Sequence, residues 1–209
     1  MLRQIMKIVA DIMFPKNCIG CGKEGKYVCE NCRLFLSETP SIFHQGSLEE
    51  VIGCWEYEGL AKKIIFKIKY NGIFDAINEL IEIAFEIREP YLPENTIITF
   101  VPMFKKKEKI RGFNQAELIA RKLGKITGRE VLPLLEKVKD TLSQTTLNKV
   151  ERMVNVKDSF QGKGESGDCD SVLLVDDVWT SGATMKECAK VLKKSGVKRI
   201  FGFTLARTV

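Results

Sequence analysis

Two groups of residues in this chain have types and spacings that could do chemistry. The first lies near the C-terminus, where the apolar run Val172–Val175 leads into Asp176 and Asp177, and then into Thr180, Ser181, Gly182, Ala183 and Thr184. Carboxylates accept hydrogen bonds and repel anions. Hydroxyls and the unpaired N–H groups at the start of a helix donate, and they favour an anion. Small residues let those N–H groups come close to a phosphate. A ligand with a phosphate at one end and a diol-bearing sugar at the other satisfies both halves, as a ribose 5-phosphate unit does. The G-K-[ST] lysine of a Walker loop is missing, which disfavours ATP hydrolysis.

The second group is C-x-x-C, seven residues, C-x-x-C: Cys18, Cys21, Cys29 and Cys32. Two tight turns of this kind aim four thiolates at one point, which is the ligand set of a closed structural zinc site. The segment is short and polar, so metal would hold it together. A disulfide pair or a chance cluster of thiols are the competing readings; the paired spacing favours zinc. Cys54, Cys169 and Cys188 stand alone and are expected to be small core or surface residues. His44, the one histidine, is expected to be exposed.

Around these groups the chain is basic, with a net charge of +6. Lys105–Arg111 (KKKEKIR) holds five basic residues in seven, and Lys62, Lys63, Lys67 and Lys69 form a second cluster. Clustered base points to a polyanionic partner, nucleic acid or a phosphorylated small molecule. A length of 209 residues with 44% hydrophobic and 29% charged content fits one ordinary domain with a small appendage. No apolar run approaches ~20 residues, so no membrane insertion is expected. The N-terminal stretch MLRQIMKIVADIMF has helical apolar spacing interrupted by Arg3, Lys7 and Asp11. It suits a docking amphipathic helix better than a signal peptide. A cytoplasmic location is expected.

The elements that must position these residues follow from periodicity. Residues 1–45 form an appendage of helix, four-cysteine turn and a loop through Pro40 and Gly46, and residues 46–209 form the main domain. From Val51 the pattern predicts a strand, then helices over Leu60–Gly72 and Phe74–Glu89 and a β-branched strand over Thr96–Val101 stopped by Pro102. A basic loop follows, then an amphipathic helix from Asn114 and a short strand at Arg129–Leu135. Residues 137–167 lack periodicity and are expected to form a long loop or hairpin, the kind of segment that serves as a lid. Ser171–Asp177 is a strand, Thr184–Val197 a helix, and Lys198–Arg207 the last strand. This alternation predicts an α/β protein with a mostly parallel sheet and helices on its faces.

The order apolar strand, Asp-Asp, two residues, Thr-Ser-Gly-Ala-Thr, helix resembles the phosphoribosyl-diphosphate (PRPP) motif of the type I phosphoribosyltransferases. The resemblance implies a type I phosphoribosyltransferase-like sheet, with Asp176 and Asp177 at the ribose, Thr180–Thr184 at the 5-phosphate and Mg riding on the diphosphate. Ser181 stands where many relatives have a second Thr, which keeps the hydroxyl. Three further blocks are similar to the ComF competence proteins: VPMFKKKEKIRGFNQ to their VP…R.RGFNQ, TLSQTTLNKVERMVNVKDSF to their T..Q..L...ER..NV...F, and YEGLAKKIIFKIKYNG to their Y-x-G…K-Y-x-G. The four-cysteine module is theirs too. The resemblance implies a place in natural transformation, handling incoming single-stranded DNA beside a helicase and recombination proteins.

Two activities remain open. One is a binder in DNA uptake with a PRPP pocket, in which Lys67, Lys69, Lys105, Lys106, Lys107, Lys109 and Arg111 contact diphosphate or DNA; this is the favoured reading. The other is an active phosphoribosyltransferase in which Asp176, Asp177 and Arg111 are catalytic. The 137–167 segment supplies Gln144, Arg152 and Asn155 as lid contacts. Trp55 and Phe113 could stack on bases, although burial is the commoner fate of both. For Trp179, stacking and a packed core edge are both open.

Overall fold

A computed structural model describes residues 15–87, 89–141, 149–163 and 169–209. The expected N-terminal helix and Gln144 lie outside the described residues, as does the side chain of Arg152. The elements are α1 (Glu30–Arg33), β1 (Ile42–Gln45), β2 (Leu48–Glu56), α2 (Gly59–Asn71), α3 (Ala76–Ile87), β3 (Thr96–Phe100), α4 (Lys105–Arg111), α5 (Gln115–Thr127), β4 (Leu135–Lys137), α6 (Lys149–Val156), β5 (Phe160–Gly162), β6 (Ser171–Trp179), α7 (Ala183–Lys194) and β7 (Arg199–Arg207).

Five strands form one sheet in the order β1-β2-β7-β6-β3. Only β1 runs antiparallel; β2 on β7, β7 on β6 and β6 on β3 are parallel. Val172, Leu173, Leu174 and Val175 are all buried, as an unbroken apolar run in a central parallel strand requires. The helices bury apolar faces at the spacing of a helical turn: Ala61, Ile64, Ile65 and Ile68 on α2, and Ile119, Ala120 and Leu123 on α5. Asn114 caps α5 by accepting from the Ala116 N–H at 3.0 Å. No helix among the described residues is long and apolar enough to cross a membrane.

Three expectations are modified. The loop through Pro40 carries β1, an exposed antiparallel edge strand. The basic loop is helix α4, because Lys, Glu and Arg are good helix formers. Gly112, at φ 85°, ends it by donating its N–H to the Glu108 carbonyl. Arg129–Leu135 joins the sheet only at a single bridge, Val131 to Ile98, before Pro133 removes a donor. The chain then forms β4, which pairs with β5 in a separate antiparallel ribbon. That ribbon and α6 give the described residues of the 137–167 segment structure of their own.

Candidate ligand cleft and four-cysteine module

The cleft arises where two crossovers diverge. From β3 the chain leaves through α5 toward Val131 on one side; from β6 it leaves through α7 to β7 on the other. Parallel crossovers keep one hand, so the two helices take opposite faces and a crevice opens beyond the strand ends between them. The last rung on the β3 side is the Val101 N–H to the Val175 carbonyl, 2.9 Å. Strand β6 continues to Trp179 alongside β7, so Asp176 and Asp177 belong to the strand and border a cleft of about 550 Å³.

Asp177 holds Lys69 of α2 through both carboxylate oxygens at 2.9 Å. Burial works against the Lys69 charge, but the charge and hydrogen bond of Asp177 outweigh it and raise the lysine's pKa. Asp176 accepts the Asp177 N–H at 2.8 Å. Burial, and then the negative charge of Asp177, push its pKa up to about 7. Two adjacent carboxylates at the mouth of a sheet, one of them with its pKa raised by burial and by its neighbour, make this cleft a candidate functional site.

A pH prediction follows. The folded-state pKa of about 7 lies above the ordinary 3.8. The folded protein therefore gains protons relative to the unfolded chain between those values, and stability falls as pH rises through that window. Asp176→Asn, which can still accept the Asp177 N–H, should raise the thermal midpoint by several degrees at pH 8, with the gain vanishing near pH 4. A shift of this size corresponds to roughly 2–4 kcal/mol. Melting curves of both proteins from pH 4 to 9 measure it.

The turn after β6 completes the cleft. Thr180 and Thr184 line it, and Ser181 Oγ accepts the Ala183 N–H at 3.4 Å. Gly182 has φ 72° at the start of α7, and a Cβ there would lie 2.2 Å from the Trp179 ring. Glycine is therefore required both for the turn and for the approach of the indole. Trp179 is buried and Trp55 fully so; neither offers a face to a base. Phe113 is partly buried against the core, with its ring 5.7 Å from Phe74.

The expected cations separate into groups. Lys69 and Arg111 line the cleft, and Arg111 donates to Gln115 Oε1 at 3.0 Å. Lys105 pairs with Glu136 at 2.9 Å and Lys107 with Asp140 at 3.0 Å. Lys106 and Lys109 are exposed and Lys67 is half-buried. Asn155 lies on α6, and its carbonyl accepts from Ser159 Oγ at 3.4 Å. His44 is exposed, as expected, at φ 52°.

Lys62 of the second basic cluster also lines the cleft, as do residues that the sequence does not single out: Tyr57, Tyr70, Gln115 and Lys137. Lys137 ends β4 and donates to the Thr141 hydroxyl at 2.8 Å. Burial first, and then the nearby Lys107, lower its pKa. No motif marks it; it is one lysine among many until the β4–β5 ribbon turns it inward.

In the four-cysteine module, the sulfurs of Cys18, Cys21, Cys29 and Cys32 all lie within 4.8 Å of one another, and Cys21 and Cys29 are 3.6 Å apart. Tetrahedral zinc with thiolates at 2.3 Å places sulfurs about 3.8 Å apart, so the four fit such an ion. Burial raises the Cys18 pKa, yet N–H groups of Cys29, Cys21 and Gly20 prevail and bring it down to about 6. Burial and the neighbouring thiols push Cys32 up to about 12. The module docks on α3, where Glu79 accepts the N–H groups of Tyr27 and Val28 at 2.7 and 3.2 Å. Ile19, Val28 and Leu36 join the main core.

Fold and site together define an α/β protein with an open, mostly parallel sheet, an acid-and-hydroxyl cleft at the strand ends and a docked four-cysteine module. Known proteins are similar in sequence to this chain over most of its length. Competence protein ComFC of Bacillus subtilis (strain 168) is 25% identical over 91% of the chain and 78% of its own length. Competence protein F of Haemophilus influenzae is 28% identical over 91% and 84%, and DNA utilization protein YhgH of Escherichia coli (strain K12) is 27% identical over 92% and 84%. No family model matches. The crystal structure of TT1426 from Thermus thermophilus overlaps 65% of this chain and 81% of its own at 12% identity and a TM-score of 0.31, too loose a likeness to argue from. Over about nine-tenths of its length the chain is similar to competence proteins of the ComF type.

Proposed function

We propose that this protein acts in DNA uptake, as the names of its relatives indicate for them, and that it binds PRPP and single-stranded DNA. The observation that carries the PRPP half is the convergence of Asp176 and Asp177 with Thr180 and Thr184 in one cleft that Lys69, Arg111 and Lys137 also line. Acids suit the ribose hydroxyls, the turn and start of α7 suit the 5-phosphate, and the cations suit the diphosphate with its Mg. The same acids disfavour the 5′ end of a DNA strand, which has no diol and carries a 3′ phosphodiester beside them. The strand therefore binds outside the cleft, along exposed cations such as Lys63, Lys106 and Lys109. A cytoplasmic site of action beside a competence helicase and recombination proteins completes the proposal.

The alternative is transfer of the phosphoribosyl group to an acceptor. That chemistry needs cations on the departing diphosphate. Of the three expected there, Lys105 and Lys107 pair with Glu136 and Asp140, so turnover would rest on Arg111 with Lys69 and Lys137 of the cleft. Incubation with Mg-PRPP and a panel of nucleobases tests the choice: the binding reading expects no diphosphate release above buffer. Oligonucleotide affinity should fall steeply with salt, and Lys106→Gln with Lys109→Gln should reduce the slope by about two. Diphosphate release lost in Asp177→Asn would establish the transferase instead, and salt-independent or absent oligonucleotide binding would remove the DNA half.

A further inference from the structure

Helix α2 has an unusual outer face. Its inner face is aliphatic and buried, yet Phe66 and Tyr70, each 56% exposed, stand one turn apart on the outside with ring centroids at 4.7 Å. Phe74, just past the helix, is 48% exposed. The helix holds four lysines, Lys62, Lys63, Lys67 and Lys69, and no carboxylate. The Arg111 guanidinium lies over the Tyr70 ring at 5.5 Å, and Tyr70 and Arg111 also line the cleft. Large exposed rings are costly to leave in water and mark interaction sites when contiguous. Lys69 is held by Asp177, and a protein-docking patch would not need the other three lysines, Lys62, Lys63 and Lys67, around the rings. A flat-faced polyanion matches both features: bases stack on rings while lysines track the phosphates.

We infer that Phe66, Tyr70 and Phe74 form a base-stacking track for single-stranded nucleic acid along the outside of α2, ending at the mouth of the cleft. The inference rests on the single-strand half of the proposed function and adds the surface and the mode of contact. Stacking makes the surface selective for unpaired bases, because a duplex keeps its base faces covered.

Fluorescence anisotropy with a labelled oligothymidylate, its duplex and heparin tests this, with melting curves confirming that each variant folds. Phe66→Ala/Tyr70→Ala should weaken oligothymidylate binding by about tenfold or more at fixed salt, with the salt slope unchanged. Duplex and heparin binding should be unaffected, and Phe66→Tyr/Tyr70→Phe should restore the wild-type affinity. Wild-type binding that Phe66→Ala/Tyr70→Ala leaves intact overturns the track while sparing the proposed function. Equal losses for the strand and heparin also overturn it, as does a change in oligomeric state showing that a second copy covers these rings. A wild type that binds no single strand overturns both.

Discussion

Replacing both acids, Asp176→Asn/Asp177→Asn, is expected to weaken Mg-PRPP binding about a hundredfold while leaving inorganic diphosphate bound as well as before or better. The opposite signs arise from what each ligand offers the carboxylates. Hydrogen bonds from ribose hydroxyls to an ionised carboxylate contribute roughly 1.5–3 kcal/mol each. Asp177 engages Lys69 through both oxygens, so the pair is close to neutral toward an anion. Removing the acid frees the ammonium, which strengthens attraction for any phosphate. That gain offsets part of the lost ribose contact and is all that diphosphate feels. Competition titrations with both ligands on both proteins measure the split. A parallel loss for the two ligands would show that the acids merely shape the cleft.

The second large effect concerns the cysteines. Cys32→Ser is expected to abolish tight zinc binding, measured as about one zinc per chain in the wild type by elemental analysis, and to lower the thermal midpoint by about 10 °C or more. Structural zinc contributes on the order of 10–16 kcal/mol to isolated modules of this kind. Here the loss is tempered because Ile19, Val28 and Leu36 pack into the main core and Glu79 still accepts the Tyr27 and Val28 N–H groups. Loss of the metal therefore propagates into α3, and amide exchange should rise there as well as in the module. A zinc-free wild type with unchanged melting would refute a structural role.

Features carried by short spacings were legible in the sequence. The Val172–Val175 run implied a buried strand, and all four residues are buried. The two C-x-x-C pairs implied four converging sulfurs, and they converge. The acids and the turn after them, a few residues apart, border one cleft. Features created by distant pairing were not legible. Asp177 meets Lys69 across 108 residues, and Glu79 receives the module's backbone from more than 50 residues away. The Lys105–Arg111 cluster reads as five cations for a polyanion, but Glu136 and Asp140 pair with two of them once β4 returns beside α4. Lys137 enters the cleft only because the β4–β5 ribbon leaves the main sheet. The same nonlocal pairing set β2 beside β7, joining the early and last strands of the main domain, which no local pattern announces.

Isothermal titration of the wild-type protein with PRPP in the presence of Mg tests the central claim most directly. Saturable binding at about one site per chain is predicted, competed by ribose 5-phosphate and weakened in Asp176→Asn/Asp177→Asn. Absence of saturable heat, or binding that ribose 5-phosphate leaves untouched and the double substitution does not weaken, would contradict it.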